Sequence, residues 1–190
     1  MQKPNDFDTA KATGEYSPLP AGGYVCKIIG VEEAKSKNGK DMIKIALDIA
    51  EGDEKDRFMN QYKSDTREFK KWPVGATMYQ LTYDQNGNTH GRFKQFTNCA
   101  VESNPGFEIV WGNGFADCFK EKLVGVVFGR EQYEAQDGNL RWNTKAQFFK
   151  TVEEIRSGDF KVPEDKLLKK AAASSVPEGF EAIDDESIPF

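Results

Sequence analysis

A chain of 190 residues with 38% hydrophobic and 30% charged content can build one core with appendages, and a formal charge of −5 makes it mildly acidic. No run has the length and apolarity of a membrane span, and no basic start followed by an apolar stretch marks a secretory signal. Cys26, Cys99 and Cys118 are too few and too scattered for a disulfide scaffold or a zinc knuckle; they read as small buried hydrophobes in a reducing cytoplasm.

Residues 1–21 are polar and turn-rich, and are expected to form an extended arm. Tyr24 to Val31 reads as a first strand. Lys37-Asn38-Gly39-Lys40 carries an Asn-Gly turn between two β-prone runs, the signature of a hairpin. Asp41 to Ile49 alternates, with Ile43, Ile45, Leu47 and Ile49 on one face. Asp56 to Tyr62 is expected as a third strand, with Phe58, Asn60 and Tyr62 on one side. Thr77 to Tyr83 fits a short strand or part of a helix. Arg92 to Val101 reads as a helix stopped by Asn104-Pro105-Gly106, and Gly114 to Lys122 as a second short one. Leu123–Tyr133 and Leu140–Phe149 form a second hairpin about Asp137-Gly138. In its last strand Leu140, Trp142, Thr144, Ala146 and Phe148 share the apolar face, which makes Trp142 a core residue. Thr151 to Gly158 fits a helical turn, and Glu164 to Ala173 a transient helix.

Three strands, a helical insertion and two strands fit a mainly β architecture: a five-stranded antiparallel barrel of the oligonucleotide-binding (OB) type with inserted short helices. A plain α+β sandwich gives the same local signals. The expected division is an arm (1–21), a folded domain (22–160), a linker (161–177) and an acidic tail (178–190).

The tail changes the meaning of the net charge. Five of the 31 acidic residues lie between Glu178 and Phe190, where there is no Lys or Arg. The rest of the chain holds 26 acidic and 26 basic residues and is neutral. The tail cannot bury enough apolar surface to offset its own ordering, so it reads as a disordered segment presented to a partner. The neutral body is free to carry a basic face.

Catalytic motifs are missing. His90 is the single histidine and sits among Asn, Gly and Thr, so the usual zinc sets cannot form, and no cofactor is implied. There is no nucleophile elbow, P-loop or dinucleotide fingerprint; Trp111-Gly112-Asn113-Gly114 reads as a tight turn. The chain is therefore expected not to be an enzyme.

What the sequence does carry is cations interleaved with aromatic rings. Lys35, Lys37, Lys40 and Lys44 surround the first hairpin. Arg57, Tyr62, Lys63, Arg67, Lys71 and Trp72 follow, and Arg130, Tyr133, Arg141 and Lys145 lie on the second hairpin. Unpaired nucleic acid needs this mixture: positive charge along the backbone path and flat rings on which bases stack. For Trp72 the sequence leaves both stacking and packing open.

Asp184, Asp185 and Glu186 followed by Ile188, Pro189 and Phe190 resemble the C-terminal tip of bacterial and phage single-stranded DNA-binding proteins. Ser187 interrupts the acidic run. The body is similar to divergent phage or mobile-element members of that family. The resemblance implies a non-catalytic cytoplasmic protein of a bacterial host cell, with no membrane partner. Such a protein coats single strands and recruits replication, repair or recombination enzymes through Asp184, Asp185, Glu186, Ile188, Pro189 and Phe190. A homo-oligomer is compatible with it. Two other readings stay open: an adaptor or inhibitor that imitates such a tail, and a nuclease built on carboxylates and a divalent ion.

Overall fold

The computed structural model describes Lys3, residues 18–135 and residues 137–168. Five strands, β1 (Gly22–Lys35), β2 (Asp41–Ile49), β3 (Thr77–Leu81), β4 (Leu123–Glu134) and β5 (Leu140–Lys150), form one antiparallel sheet in the order β3-β2-β1-β4-β5. Four helices accompany it: α1 (Arg57–Ser64), α2 (Gly91–Glu102), α3 (Phe115–Cys118) and α4 (Val152–Ser157). Among the described residues no helix is long and apolar enough to cross a membrane.

Both hairpins form where turn chemistry places them. Gly39 and Gly138 take positive φ values of 72° and 75°, a conformation that costs glycine nothing and a β-branched residue a good deal. The alternation in β2 also holds, and Ile43, Ile45, Leu47 and Ile49 are all buried.

The expected barrel does not form. The sheet is open, with β3 and β5 as its two edges. β3 comes near β5 without pairing with it, and the 3-10 turn Val74–Ala76 packs against β5. The approach is so close that a Cβ on Gly75 would lie 2.6 Å from the Thr144 carbonyl oxygen. Pro73 and this turn interrupt the chain just before β3, which is left five residues long and paired with β2 alone. The strand count and antiparallel sense agree with the sequence; closure, and with it the OB-type barrel, does not.

The expected third strand at Asp56–Tyr62 is helix α1. Phe58 and Tyr62 suit a helix as well as a strand, because i and i+4 share a helical face. The choice is decided by Asp48, a buried carboxylate on β2. It accepts hydrogen bonds from the backbone N–H groups of Phe58 (2.9 Å) and Met59 (3.3 Å) in the first turn of α1, and from its neighbour Ile49 (2.9 Å). A helix that supplies no side-chain cap of its own thus has two first-turn donors satisfied from the sheet.

The main core covers one face of the sheet. Cys26, Ile28, Val124, Val126, Phe128 and the β2 isoleucines meet Phe58 of α1, Phe93 and Phe96 of α2, and Phe115 of α3. Phe96 lies with ring centroids 4.9 Å from both Phe119 and Phe149. Each such ring, fully buried, contributes about 1.5–3 kcal/mol by area. A smaller cluster on the opposite face holds Val25 and Val127 beneath Val152 and Ile155 of α4, whose N-terminus is closed by a reciprocal Thr151–Glu154 capping box.

The face assignment in β5 fails at its end. A bulge opposite Val127–Phe128 leaves Gln147 as an extra residue, so Phe149 points into the core while Phe148 stays exposed. Leu140, also expected inside, is exposed because β5 extends past the core there.

The register fixes where the hairpin tips lie. Gly22 sits opposite Phe128 and Lys27 opposite Leu123, so the end of β1 projects past the start of β4 and the end of β4 past the start of β1. The two tips therefore point to opposite ends of the sheet. Beyond Phe128 the free side of β4 is taken by the segment 165–168. Lys166 N–H donates to the Arg130 carbonyl (3.0 Å), and Gln132 N–H donates to the Lys166 carbonyl (2.8 Å). The described part of the expected helix at Glu164–Ala173 is thus extended and strand-like. At the other end of the chain Leu19 is buried, and its carbonyl accepts from the Thr144 hydroxyl at 2.6 Å.

Candidate nucleic-acid interface

Helix α1, the segment 65–75 and the first residues of β5 enclose a cleft of about 620 Å³. Five of the sequence-assigned residues line it: Arg57, Tyr62, Arg67, Lys71 and Trp72. Trp142 and Asn143 of β5 form the opposite wall. Lys63 lies exposed on the same helix, and the Lys70 ammonium is 6.0 Å from the Tyr62 ring centroid.

Each ring has a defined seat. Trp72 donates its indole N–H to the Leu47 carbonyl (3.0 Å), and its ring lies 5.4 Å from Tyr62 at an angle of 38°. Of the two roles left open by the sequence, the structure shows packing: Trp72 is anchored to β2, and its ring also lines the cleft. Trp142 carries the Arg130 guanidinium over its ring, 4.5 Å from the centroid. The sequence places Trp142 in the core by strand parity. The parity is right, since Thr144 and Ala146 on that face are covered, but at position 142 β5 has passed the end of the core and the same face opens into the cleft.

The cations are held by local carboxylates. Arg57 is paired with Glu54, and Arg67 makes a forked contact with Asp65, the shortest bond being 2.6 Å. The Arg67 guanidinium holds the Asp65 carboxyl down at about 2. Lys71 is exposed at the mouth. Lining charges are Arg57, Arg67 and Lys71 against Asp65, so the cleft is net positive.

The second hairpin adjoins this cleft through the Arg130–Trp142 pair. Lys145 bonds to Glu131 at 3.0 Å, Arg141 to Asp137 at 2.6 Å, Arg130 is 3.4 Å from Asp165, and Tyr133 is half exposed. The first hairpin is separate. Lys35 is bonded to Asp41 and Lys44 to Glu32, while Lys37 and Lys40 are exposed at the tip, at the far end of the sheet from the second hairpin. Structure thus joins two of the three sequence-assigned groups and leaves Lys35, Lys37, Lys40 and Lys44 apart.

Residues 5–71 match the sequence profile of a family described as a protein of unknown function (DUF669). No curated protein matches the chain. The matched segment takes in β1, β2 and α1 and ends at Lys71, so it includes one wall of the cleft and stops short of Trp72 and Trp142. Asp184, Asp185, Glu186, Ile188, Pro189 and Phe190 lie outside the described residues. Among the described residues no group of three or more His, Cys, Asp or Glu side chains is placed to hold a metal ion.

Proposed function

We propose that this protein binds single-stranded DNA in the cleft between α1 and β5 and presents its acidic tail to enzymes of replication, repair or recombination. The observation that carries the reading is the cleft itself, where Tyr62, Trp72 and Trp142 converge with Arg57, Arg67 and Lys71. Unpaired bases offer ring faces and a flexible backbone to such a wall, whereas a duplex keeps its bases stacked on one another. Binding stoichiometrically to exposed strands is coating, which requires no catalytic group.

Fluorescence titration with poly-dT, using duplex of equal length as control, tests this. Three lining cations predict that log K falls against log salt with a slope of about −2 on single strands. Equal affinity for duplex, or no binding of poly-dT at low salt, would overturn the reading and favour the adaptor. Magnesium-dependent loss of the oligonucleotide would point to the nuclease.

The tail supplies a further expected result. Residues 178–190 carry five carboxylates and no cation, and the rest of the chain is neutral. A chain ending at residue 177 should bind poly-dT more tightly at low salt, because a competitor for the basic cleft is removed, and the gain should fade as salt screens it. The same truncation should abolish co-sedimentation with the host's replication and repair enzymes. Retained co-sedimentation would remove the tail from recruitment.

A further inference from the structure

A second groove, of about 840 Å³, lies at the opposite end of the sheet from the second hairpin, between the β1–β2 hairpin, α2 and the segment 109–113. Its charge is the reverse of the cleft's. Glu33, Asp41 and Glu102 line it against Lys94 alone. Asp41 is bonded to Lys35, whereas Glu33 and Glu102 stand exposed at the rim. Its wall is apolar. Trp111 is 67% exposed yet held in place by stacking on Phe115, with centroids 5.4 Å apart and planes at 21°. Val101 and Ile109 continue the wall. A fixed, exposed tryptophan in an acidic groove suits an apolar segment flanked by cations. It repels a phosphate backbone, and it equally repels the chain's own acidic residues 178–190.

One segment of the chain has the required chemistry. Leu167-Leu168 follows Lys166, whose ammonium is bonded to Glu131 at 2.9 Å, and is followed in sequence by Lys169 and Lys170. Leu167 is 69% exposed and Leu168 37% exposed. This segment is fastened to β4 beside Arg130 and Gln132, at the end of the sheet where the second hairpin projects. The groove lies beside Glu33 and Met42, at the other end. From the register the two are separated by roughly 40 Å along the strands, at about 3.3 Å per residue. A fastened segment cannot reach the groove of its own molecule.

We infer that copies of this protein associate head to tail, the segment from Leu167 of one seating Leu167 and Leu168 against Trp111 of the next and offering Lys169 and Lys170 to Glu33 and Glu102. Two different surfaces meet in such a contact, so a joined pair keeps one free surface of each kind, and with the connectors at opposite ends of the sheet the contact repeats as a linear array. Given the single-strand reading above, the array runs along the DNA and makes binding cooperative, the opposite ends of the sheet serving as its two connectors.

The test uses two full-length charge-reversal variants, Glu33→Lys with Glu102→Lys, and Lys169→Glu with Lys170→Glu. Wild-type protein should bind long poly-dT with neighbour cooperativity of about tenfold, an ordinary coupling between sites. Each variant alone should lose cooperativity while keeping its affinity for a dT oligomer that holds one copy. An equimolar mixture should regain cooperativity in an alternating array, because there the reversed groove meets the reversed segment and the unreversed segment meets the unreversed groove, opposite charges at both contacts. Variants as cooperative as wild type, or a mixture that stays non-cooperative, would overturn the inference. Sedimentation velocity without DNA separates this from the single-strand reading. If no form binds dT, concentration-dependent association that is lost in each variant and regained in the mixture still supports the contact, and its absence refutes it.

Discussion

Replacing Trp142 by alanine should weaken poly-dT binding about 10- to 100-fold and leave the salt slope where it was. The magnitude is that of one stacked base, roughly 1–3 kcal/mol. The unchanged slope follows because no cation is removed: Arg130 loses the ring beneath it, 4.5 Å from its guanidinium, but keeps its charge. Lys71→Gln should do the reverse, costing less affinity and making the slope shallower by about 0.7 per lost phosphate contact. Trp142→Phe retains a flat ring and should recover most of the affinity. Thermal unfolding of the three variants guards against a trivial cause, since Trp142 is only half buried at the end of the core. A Trp142→Ala protein that binds poly-dT like wild type, with Lys71→Gln also silent, would move the binding surface away from this cleft.

The prediction turns on a residue that sequence parity assigns correctly and interprets wrongly. Alternation in β5 places residues 142, 144 and 146 on one face, and the structure agrees. What alternation cannot supply is where the covering layer ends. That boundary is set by α1 and the turn at Gly75, which are remote in sequence from Trp142. The strands whose partners are adjacent in sequence were legible, because Asn38-Gly39 and Asp137-Gly138 fix both turn and register. Gln147 shows the converse: one extra residue exchanges Phe148 for Phe149 in the core, and no local signal marks the bulge. The missing barrel closure is likewise non-local. It depends on whether β3 pairs with β5 or only comes near it, and the turn at Gly75, packed on the Thr144 carbonyl, stands where pairing would begin.

The candidate cleft was legible as chemistry but not as geometry. Arg57, Tyr62, Arg67, Lys71 and Trp72 cluster within sixteen positions of one another, so proximity along the chain brings them to one wall. The lysines at 35, 37, 40 and 44 have the same composition signal, yet the register carries them to the far end of the sheet. Composition along a chain therefore records which residues suit a backbone of phosphates, and only the strand order shows which of them one strand can touch together.

Asp48→Ala should cost about 2–4 kcal/mol of stability, read by urea denaturation, because it strands buried donors. The backbone N–H groups of Ile49, Phe58 and Met59 lose their shared acceptor, and two of these form the first turn of α1. Asp48→Asn should cost far less, since an amide oxygen still accepts and the charge is gone. Burial pushes the Asp48 carboxyl up from its ordinary value, against the pull of the three N–H groups. With the folded state releasing this proton later than the unfolded chain, the contribution of Asp48 to stability is fullest below the ordinary carboxylate pKa and declines as pH rises through the folded value. Wild type should therefore lose stability relative to Asp48→Asn as pH rises from 3 and then run parallel to it; a widening advantage for wild type would show the opposite shift. The alanine variant should also bind poly-dT less well than its folded fraction accounts for. Asp48 fastens the start of α1 to β2, and α1 carries Arg57 and Tyr62 into the cleft, so the carboxylate that turns an expected strand into a helix also sets the wall proposed to meet the DNA.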